Sequence, residues 1–397
     1  MDALTTPSNW QRVRLGDVAE IIGGGTPSTQ ITSFWNGSIN WFTPTEIGIT
    51  KYVYKSQRTI TLLGLKKSSA KLLPIGTILL TSRASIGDCA ILKVVATTNQ
   101  GFQSLIPLEK INNEFLYYLM LTLKNKLLKL ASGSTFLEVS PNKIKNLLIP
   151  LPPLNEQIAI ANILSGLDRY LYSLDALILK KESVKKALSF ELLSQKKRLK
   201  GFNQAWQKVR LGDICEFGNG GAYETLIVEN GNFKLISLNS IDIDGNLKNT
   251  MKRVNFYDNS LKQDDIVMVL SDVAHGDFLG LCAVIPSNDY VLNQRMGRLR
   301  IRNDCINILF LRLYVNANQK YFKMQGQGSS QLNLSKKAIE DFEIPLPPLN
   351  EQIAIANILS GLDHEIISLK NKKRQFENIK KALNHDLMSA KIRVLKK

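Results

Sequence analysis

Two glycine-rich stretches and one acidic segment are the parts of this chain whose residue types could bind a nucleotide or a metal ion. The stretches at 23–25 and 218–221 could wrap a phosphate, but the chain has no GxxxxGKS or GxxxxGKT phosphate loop, so both indicate tight turns. The segment from Asp242 to Asn246 is similar to the start of a calcium loop, yet it lacks the third acidic ligand and a glutamate at position 12. We therefore interpret it as an Asp-Gly hairpin turn.

The histidines and cysteines give no metal-binding pattern. The three histidines are far apart in the sequence, and no two cysteines have the CxxC spacing of a zinc site. These residues are His275, His364, His385, Cys89, Cys215, Cys282 and Cys305. The cysteines are predicted to be free, mostly buried thiols in a reducing cytosol, and no metal site is expected.

The chain is strongly basic. It carries 51 Lys and Arg against 34 Asp and Glu, a formal net charge of +17. Such an excess indicates a polyanionic partner, with nucleic acid favoured over a membrane surface. A general lysine bias of the source genome is the alternative explanation. No run of 18 apolar residues is present and the N-terminus has no secretion-signal pattern, so a cytoplasmic protein is expected.

The elements that would position any site are duplicated. The twenty residues from Ile149 to Asp168 recur without a difference from Ile344 to Asp363. The octapeptide that begins at Trp10 returns at Trp206 with one change. Between these anchors the halves differ almost completely, so we expect two copies of one frame that hold two unlike bodies.

Each copy of the repeated segment opens a heptad pattern. Apolar residues alternately four and three positions apart run from Ile160 to Ile178 and from Ile355 to Leu369. We expect two long helices that pair antiparallel, which would place the bodies at opposite ends of the pair. A kink or a close helix contact is expected at Gly166 and Gly361. The alternative is that each helix packs separately on its own body.

The two bodies are predicted to mix short strands and helices. Aliphatic and β-branched runs flank glycine-containing turns, as in antiparallel strand pairs, and longer apolar runs have helical spacing. The predicted strands are 77–81, 90–95, 266–270 and 282–285, and the predicted helices are 114–129 and 308–321. The predicted fold class is therefore α+β, with two similar domains, a long antiparallel coiled-coil helix pair and an internal pseudo-twofold repeat.

These residues together carry a family resemblance. The repeated LPPLNEQIAIANIL segment, followed by a long helix, resembles the specificity (S) subunit of prokaryotic type I restriction–modification systems. In the first body, the Gly24–Thr29 segment with Trp35 and Trp41 resembles the opening of one common target recognition domain. The Ser82–Gly87 turn is similar to the Ser-Arg-Gly-Thr-Ile-Gly turn of the family, from which it departs at positions 84 and 85. The second body resembles a different type of recognition domain.

The resemblance implies a domain division and a role. Target recognition domain 1 would span 1–150, a central helix 151–200, target recognition domain 2 201–345 and a C-terminal helix 346–397. Such a subunit is not catalytic. It binds a bipartite double-stranded DNA target, one half-site per recognition domain, with a spacer set by the helix pair. Its partners would be two modification (methyltransferase) subunits and the restriction (endonuclease and translocase) subunits. S-adenosylmethionine, ATP and Mg would belong to those partners, and no cofactor is expected in this chain.

Two other classes of function stay open at this point. No Asn-Pro-Pro-aromatic motif of an adenine methyltransferase is present, which favours a chain without catalysis. A fused restriction or methylation enzyme with unrecognised catalytic residues is the main alternative. A structural coiled-coil adaptor with incidental basic charge is the third interpretation, and it predicts no preference among DNA sequences.

The resemblance and the chemistry of base recognition together nominate DNA contacts. Arg reads guanine and Asn or Gln reads adenine in the major groove, while phosphate contacts fix position. In the first body the predicted contacts are Ser82, Arg83, Gln100, Ser134 and Thr135, with Lys66 and Lys67 on phosphate. In the second body they are Asp272, His275, Arg295, Ser329, Ser330 and Gln331, with Arg298 on phosphate. Each has a structural alternative: the arginines could line the wet edge of a strand, and Ser134 and Thr135 could cap a turn.

Overall fold

The computed structural model describes residues 7, 9–133, 137–273 and 276–394. The chain divides into two compact units, Met1–Asp175 with Asn371–Lys397, and Ala176–Lys370. Each unit therefore contains one body, part of the helix that follows it and part of the other long helix.

The first unit has a mixed α and β body. Its strands are β1 (Gln11–Arg14), β2 (Ala19–Gly23), β3 (Trp35–Phe42), β4 (Tyr52–Val53), β5 (Arg58–Ile60), β6 (Ile78–Leu80), β7 (Cys89–Leu92), β8 (Ala96–Thr98), β9 (Gln103–Pro107) and β10 (Leu148–Leu151). Its helices are α1 (Leu62–Lys66), α2 (Asn113–Leu130) and α3 (Pro141–Lys145), and the long helix α4 (Leu154–Leu193) begins in this unit.

Two sheets form the first body. One has the strand order β2-β9-β6-β7-β4 and the other has the order β5-β3-β8. Successive residues of a strand point to opposite faces, so each face of β6 enters a different core. Ile78 and Leu80 lie in the core that contains Phe115 of α2, whereas Leu79 lies in the core that contains Phe42 of β3. The first sheet is therefore covered on both faces.

The second unit repeats this plan with different elements. Its strands are β11 (Gln207–Arg210), β12 (Cys215–Asn219), β13 (Phe233–Ile236), β14 (Lys252–Val254), β15 (Ile266–Val269), β16 (Ser271–Val273), β17 (Cys282–Val284), β18 (Tyr290–Leu292), β19 (Met296–Ile301), β20 (Gln331–Asn333) and β21 (Glu343–Leu346). Its helices are α5 (Leu211–Ile214), α6 (Ile308–Ala317), α7 (Gln319–Gln325) and α8 (Lys336–Glu340), and the long helix α9 (Leu349–Met388) begins in this unit.

The sheets of the second body have the strand orders β12-β19-β15-β17, β14-β13-β18 and β16-β20. The alternation seen in β6 recurs in β15. Ile266 and Met268 lie in the core that contains Phe310 of α6, and Val267 and Val269 lie in a second core. The two bodies thus share a frame although their sequences differ.

The repeated segment ties the first body to its helix. β1 pairs antiparallel with β10, and α4 begins three residues later. Glu156, in the first turn of α4, is 2% exposed. Its carboxylate accepts hydrogen bonds from Trp10 Nε1 at 3.1 Å and from Arg393 Nε at 2.8 Å. A buried charge needs such partners, because an unpaired carboxylate in the interior is strongly destabilising.

The same contacts recur in the second unit. β11 pairs antiparallel with β21, and Glu351 in the first turn of α9 is fully buried. Its carboxylate accepts from Trp206 Nε1 at 3.0 Å and from Arg198 Nε at 3.1 Å. The duplicated glutamate therefore has the same two kinds of donor in both units, which gives a physical reason for its repetition.

The glutamine beside each glutamate joins helix and body through backbone groups. Gln157 Oε1 accepts from the Asn112 backbone N–H at 2.8 Å, and its Nε2 donates to the carbonyl of Pro152 at 2.8 Å. Gln352 makes the equivalent hydrogen bonds with the Asn307 N–H and the Pro347 carbonyl, both at 2.8 Å. Both amides are buried and satisfied on their two functional groups.

The long helices pair antiparallel within each unit. In the first unit, Asp168 and Asp175 of α4 form ion pairs with Lys380 and Lys373 of α9, so the numbering of the two helices runs in opposite directions. In the second unit the interhelical ion pairs are Lys181–Glu365, Lys185–Asp363 and Glu182–Lys370. Residues of the predicted heptad seam, among them Ile160, Leu164, Ile355 and Leu359, are buried. The predicted α+β class and the antiparallel pairing are confirmed.

One local prediction is wrong, and part of a second is. The single helix predicted over 308–321 is divided at Asn318, whose backbone leaves the α region and whose side chain donates to the Tyr314 carbonyl at 2.8 Å. At Gly166 and Gly361, where a kink or a close helix contact was predicted, the structure shows no close contact. Both helices continue through these glycines, and nothing lies within 4 Å of a Cβ added at either.

The predicted Asp-Gly turn is confirmed. Asp242 Oδ1 accepts from the backbone N–H groups of Asp244 and Asn246, and Gly245 has a φ of +76°. Within the described ranges, no three His, Cys, Asp or Glu side chains are grouped so that they could hold a metal ion. None of the described helices is long and apolar enough to cross a membrane.

Candidate nucleic-acid interface

The segments that contain the predicted DNA contacts make equivalent backbone hydrogen bonds in the two bodies. In the first body, the N–H of Ser82 donates to the carbonyl of Gly101 at 2.8 Å, and Ser82 O accepts from Val139 at 3.0 Å. In the second body, Leu270 makes the equivalent bonds with Arg295 at 3.1 Å and Leu334 at 2.8 Å. Position 82 therefore corresponds to position 270, and Arg83 corresponds to the following residue, Ser271.

A second pair of backbone contacts extends this correspondence. Ser132 and Glu138 exchange two N–H···O bonds of 3.0 and 3.1 Å, and Gln327 and Asn333 exchange two of 3.0 and 2.9 Å. Both pairs lie at an offset of 195 residues. In the second body this pair encloses the segment that contains Ser329, Ser330 and Gln331, and in the first it flanks positions 134–135, which lie outside the described residues.

The side chains on this common frame differ between the bodies. In the first, Arg83 forms an ion pair with Glu138 at 3.0 Å. In the second, the same two positions are Ser271 and Asn333, whose side chains form a hydrogen bond of 2.7 Å. One backbone arrangement therefore presents a charged pair in one body and a neutral pair in the other, as expected if the two bodies read different targets.

A polar cleft of about 370 Å³ lies at this place in the second body. Its lining is dominated by amide and basic side chains, which are the residue types that read base edges and bind phosphates. The polar lining residues are Asn219, Ser271, Gln294, Arg295, Gln331, Asn333 and Lys336. Of the predicted contacts, this cleft brings Arg295 and Gln331 together.

The corresponding region of the first body is built around Gln100. Its side-chain oxygen accepts a hydrogen bond from the hydroxyl of Thr26, which fixes the amide at the surface. The backbone before Thr26 is tightly enclosed, because a Cβ added at Gly24 would lie 1.9 Å from Asn99 O and one at Gly25 would lie 2.3 Å from Ala70 N. The tight turns predicted at the two glycine stretches are not observed: Gly23 ends β2, Gly24 and Gly25 continue as close-packed irregular backbone, and Gly218 lies within β12.

The remaining predicted contacts of the first body lie in different environments. Ser82 is 1% exposed, and its hydroxyl donates to Gly101 O at 3.2 Å, so it supports the loop from within. Arg83 is partly exposed beside Glu138. Lys66 and Lys67 are exposed at the end of α1. Ser134 and Thr135 lie outside the described residues.

The second body also separates exposed from internal candidates. Arg295 is exposed, as are Ser329 and Ser330. The carboxylate of Asp272 accepts from the N–H groups of Val273 and Phe278, and it therefore holds the turn that follows. Arg298 is largely buried and pairs with Glu216. Gln331 Nε2 donates to the Ser271 hydroxyl. His275 lies outside the described residues.

Four residues near these loops were not predicted from the sequence: Thr26, Glu138, Asn219 and Asn333. The repeat could have identified one pair of them, since its offset of 195 residues aligns Glu138 directly with Asn333. Thr26 and Asn219 lie in segments that the sequence singled out, the Gly24–Thr29 segment and the stretch at 218–221, but their polar contacts depend on strands that are distant in sequence. Whether any of these residues touches DNA stays a prediction.

The comparison with protein families identifies the class. The family described as "Type I restriction modification DNA specificity domain" matches residues 7–182 and again residues 203–378. The chain therefore belongs to this family and carries its domain twice. The family predicted from the sequence is confirmed, and with it the prediction of a recognition subunit as opposed to an enzyme.

Individual relatives agree with this assignment. The type I restriction enzyme MjaIX specificity subunit of Methanocaldococcus jannaschii is 42% identical over 166 residues, which are 41% of this chain and 38% of that subunit. The MjaVIII specificity subunit of the same organism is 28% identical over 426 residues, covering 99% of this chain and 95% of the relative. The crystal structure of a type I restriction–modification system S subunit from M. genitalium has the same fold, with a TM-score of 0.62, 20% identity and 97% coverage of both chains.

Proposed function

We propose that this chain is the non-catalytic DNA-reading subunit of a type I restriction–modification complex and that each body recognises one half of a bipartite double-stranded target. The observation that carries the proposal is the common backbone frame, which holds different polar side chains in the two bodies. The net charge of +17 supplies the attraction to a phosphate backbone. Two unlike reading surfaces on one frame suit an asymmetric target.

Among the predicted contacts, the exposed ones are the direct DNA contacts in this proposal. Gln100 and Arg295 would reach base edges, and Lys66 and Lys67 would contact phosphates. Ser82, Asp272 and Arg298 would act indirectly by holding the loops, since their polar groups are already used inside the protein.

The helices offer a surface for partner subunits. Each repeated segment presents three apolar residues that are 36–47% exposed: Leu154, Ile158 and Ile163 in one copy, and Leu349, Ile353 and Ile358 in the other. Because the two surfaces have identical residues on identical elements, they would bind two copies of the same partner, for which we propose the methyltransferase subunit. Restriction subunits would join this assembly, and S-adenosylmethionine, ATP and Mg would be held by the partner subunits.

DNA selection tests the reading role. The full-length chain with its methyltransferase subunits is incubated with a pool of duplexes that carry randomised positions, and the retained DNA is sequenced. The expected result is a motif of two defined half-sites with an unread spacer. The affinity for this motif should fall steeply with salt, because each phosphate contact adds roughly 0.9 to the slope of log affinity against log salt. Retention without sequence preference would contradict the proposal and favour the adaptor interpretation.

Substitution in the two repeats tests the docking role. Ile158→Glu and Ile353→Glu should each remove one methyltransferase subunit from the purified complex, and the double variant should remove both, because a charge in an apolar interface is costly. Leu179→Glu is the matched control, since Leu179 is 65% exposed on α4 outside the repeated segment. Unchanged stoichiometry in the double variant would exclude these surfaces as the docking sites.

Matched insertions test whether the helices set the spacer, as we also propose. Four residues added to α4 after Lys185 and four added to α9 at its ion-pair partner Asp363 lengthen both helices by about 6 Å. The tolerated spacer should then change, whereas four residues added in the exposed loop at Gly201 should leave it as before. A spacer that is unaffected by the helix insertions would refute this part of the proposal.

A further inference from the structure

Arg58 is an exposed arginine that the sequence analysis did not select. It lies at the start of β5 and stacks on an aromatic pair, with its guanidinium carbon 3.7 Å from the ring centre of Trp35 and 5.5 Å from that of Trp41. Both tryptophans are buried, and their rings meet edge to face with centres 5.0 Å apart. The guanidinium is therefore held against a rigid platform.

Apart from its contact with the two indole rings, the Arg58 guanidinium is unpaired in the described part of the chain. Within the described ranges, no carboxylate, carbonyl or hydroxyl accepts a hydrogen bond from its guanidinium, although its backbone carbonyl accepts from the Ser56 hydroxyl. Arg83 and Arg300, by contrast, have the acidic partners Glu138 and Asp265. Stacking on an indole restrains a guanidinium but occupies none of its five N–H donors.

The same tryptophans organise the loop that faces Gln100. Trp41 Nε1 donates to the Gly25 carbonyl at 2.9 Å, and Trp35 Nε1 donates to the Ser28 carbonyl at 3.0 Å. Thr26, between these two anchors, binds the Gln100 side chain. One aromatic pair therefore fixes both Arg58 and the loop that orients Gln100.

The strand register places Arg58 near the predicted base contact. Arg58 is opposite Trp41 across β5 and β3, and Trp41 is opposite Thr97 across β3 and β8. Neighbouring strands are about 4.8 Å apart, so the backbones of Arg58 and Thr97 are separated by roughly 10 Å. Gln100 follows Thr97 by three residues.

We infer that Arg58 is a base-reading residue of the first body and that it contacts a guanine in the half-site read by Gln100. This inference rests on the proposed function. A planar, restrained guanidinium with free N–H donors matches the O6 and N7 acceptors of guanine, which arginine contacts in a bidentate manner. A lysine could supply the charge but not this fork, so position 58 determines specificity.

The test is DNA selection from a randomised duplex pool with the full-length chain in its complex, compared between wild type, Arg58→Lys and Arg58→Gln. Both variants should lose a guanine preference of about 5- to 150-fold at one position of one half-site, with the other half-site unchanged. Arg12→Gln is the control for Arg58→Gln, since Arg12 is exposed on β1 and both substitutions remove one positive charge. Thermal melting of each variant verifies that the body is folded.

The outcomes separate the inference from the proposed function. Equal loss of affinity on all sequences, with a salt slope smaller by about one, would show a phosphate contact and overturn base reading. An unchanged motif in both variants would overturn any DNA contact by Arg58. A wild-type chain that selects no motif would instead overturn the proposed function itself.

Discussion

Removal of Arg393 is the sharpest test of the repeated frame. Arg393 Nε and Nη2 donate to the Glu156 carboxylate at 2.8 and 3.1 Å, and the glutamate side chain is 2% exposed. Arg393→Met leaves this carboxylate with Trp10 Nε1 as its side-chain donor among the described residues. Breaking a fully buried pair from one side is destabilising by about 3–5 kcal/mol. Since the Arg393 side chain is 29% exposed, we expect about 2–4 kcal/mol.

The assay is thermal unfolding of the full-length chain with hydrogen exchange to locate the loss. For a unit of this size, about 3 kcal/mol corresponds to a fall in Tm of about 6–12 °C. Backbone protection should decrease in β1 and β10, which adjoin Glu156. Adding Glu156→Gln should recover part of the loss, because a neutral amide does not leave a buried charge unpaired. Arg12→Met, on the exposed side of β1, is the matched control. A change in Tm of less than about 1 °C would refute the reasoning.

Three further predictions concern stability and reactivity. Gly166→Ala and Gly361→Ala should each raise the free energy of unfolding by about 0.5–1 kcal/mol, because a Cβ there meets no neighbour and glycine weakens a helix. Urea denaturation measures this, and a lower free energy of unfolding in either variant would contradict the open space around these glycines. Cys305 is exposed, whereas burial raises the pKa of the Cys89 thiol to about 12. A disulfide reagent at pH 8 should therefore modify Cys305 in one fast kinetic phase, and Cys305→Ser should remove that phase. Burial also raises the pKa of the Tyr117 phenol, so the unfolded chain loses this proton at a lower pH than the folded chain. The free energy of unfolding should therefore fall above about pH 10, and it should fall less in Tyr117→Phe. A urea midpoint that stays constant from pH 9 to 11 would contradict this.

Prediction from the sequence succeeded where the signal was periodic. The heptad seam after each repeat depends on the identity of residues three and four positions apart, so it could be recognised without tertiary information. The strands around the first glycine turn were also close to the observed ones, since β6 and β7 lie at Ile78–Leu80 and Cys89–Leu92. The division of the 308–321 helix was missed because it depends on one asparagine that bonds to its own helix.

The candidate site could be predicted only in part. The family resemblance and residue type selected Ser82 and Arg298 as DNA contacts, and the structure places both largely inside the protein, where they bond to protein groups. Burial of a polar side chain depends on strands that meet far along the chain, which no local pattern reports. Arg58 was missed for the same reason, because Trp35 and Trp41 become its platform only through the β3–β5 pairing.

The pairing of β1 with β10, and of β11 with β21, has a consequence for how such chains diversify. Each ladder brings the incoming and outgoing strands of a body side by side, with Arg14 opposite Leu148 and Arg210 opposite Glu343. A foreign segment of any length that starts and finishes at neighbouring positions could therefore be spliced in at these strands without disturbing the Glu–Arg–Trp contacts below them. A new DNA target can therefore be acquired by recombination that replaces a whole body, as well as by stepwise substitution within it.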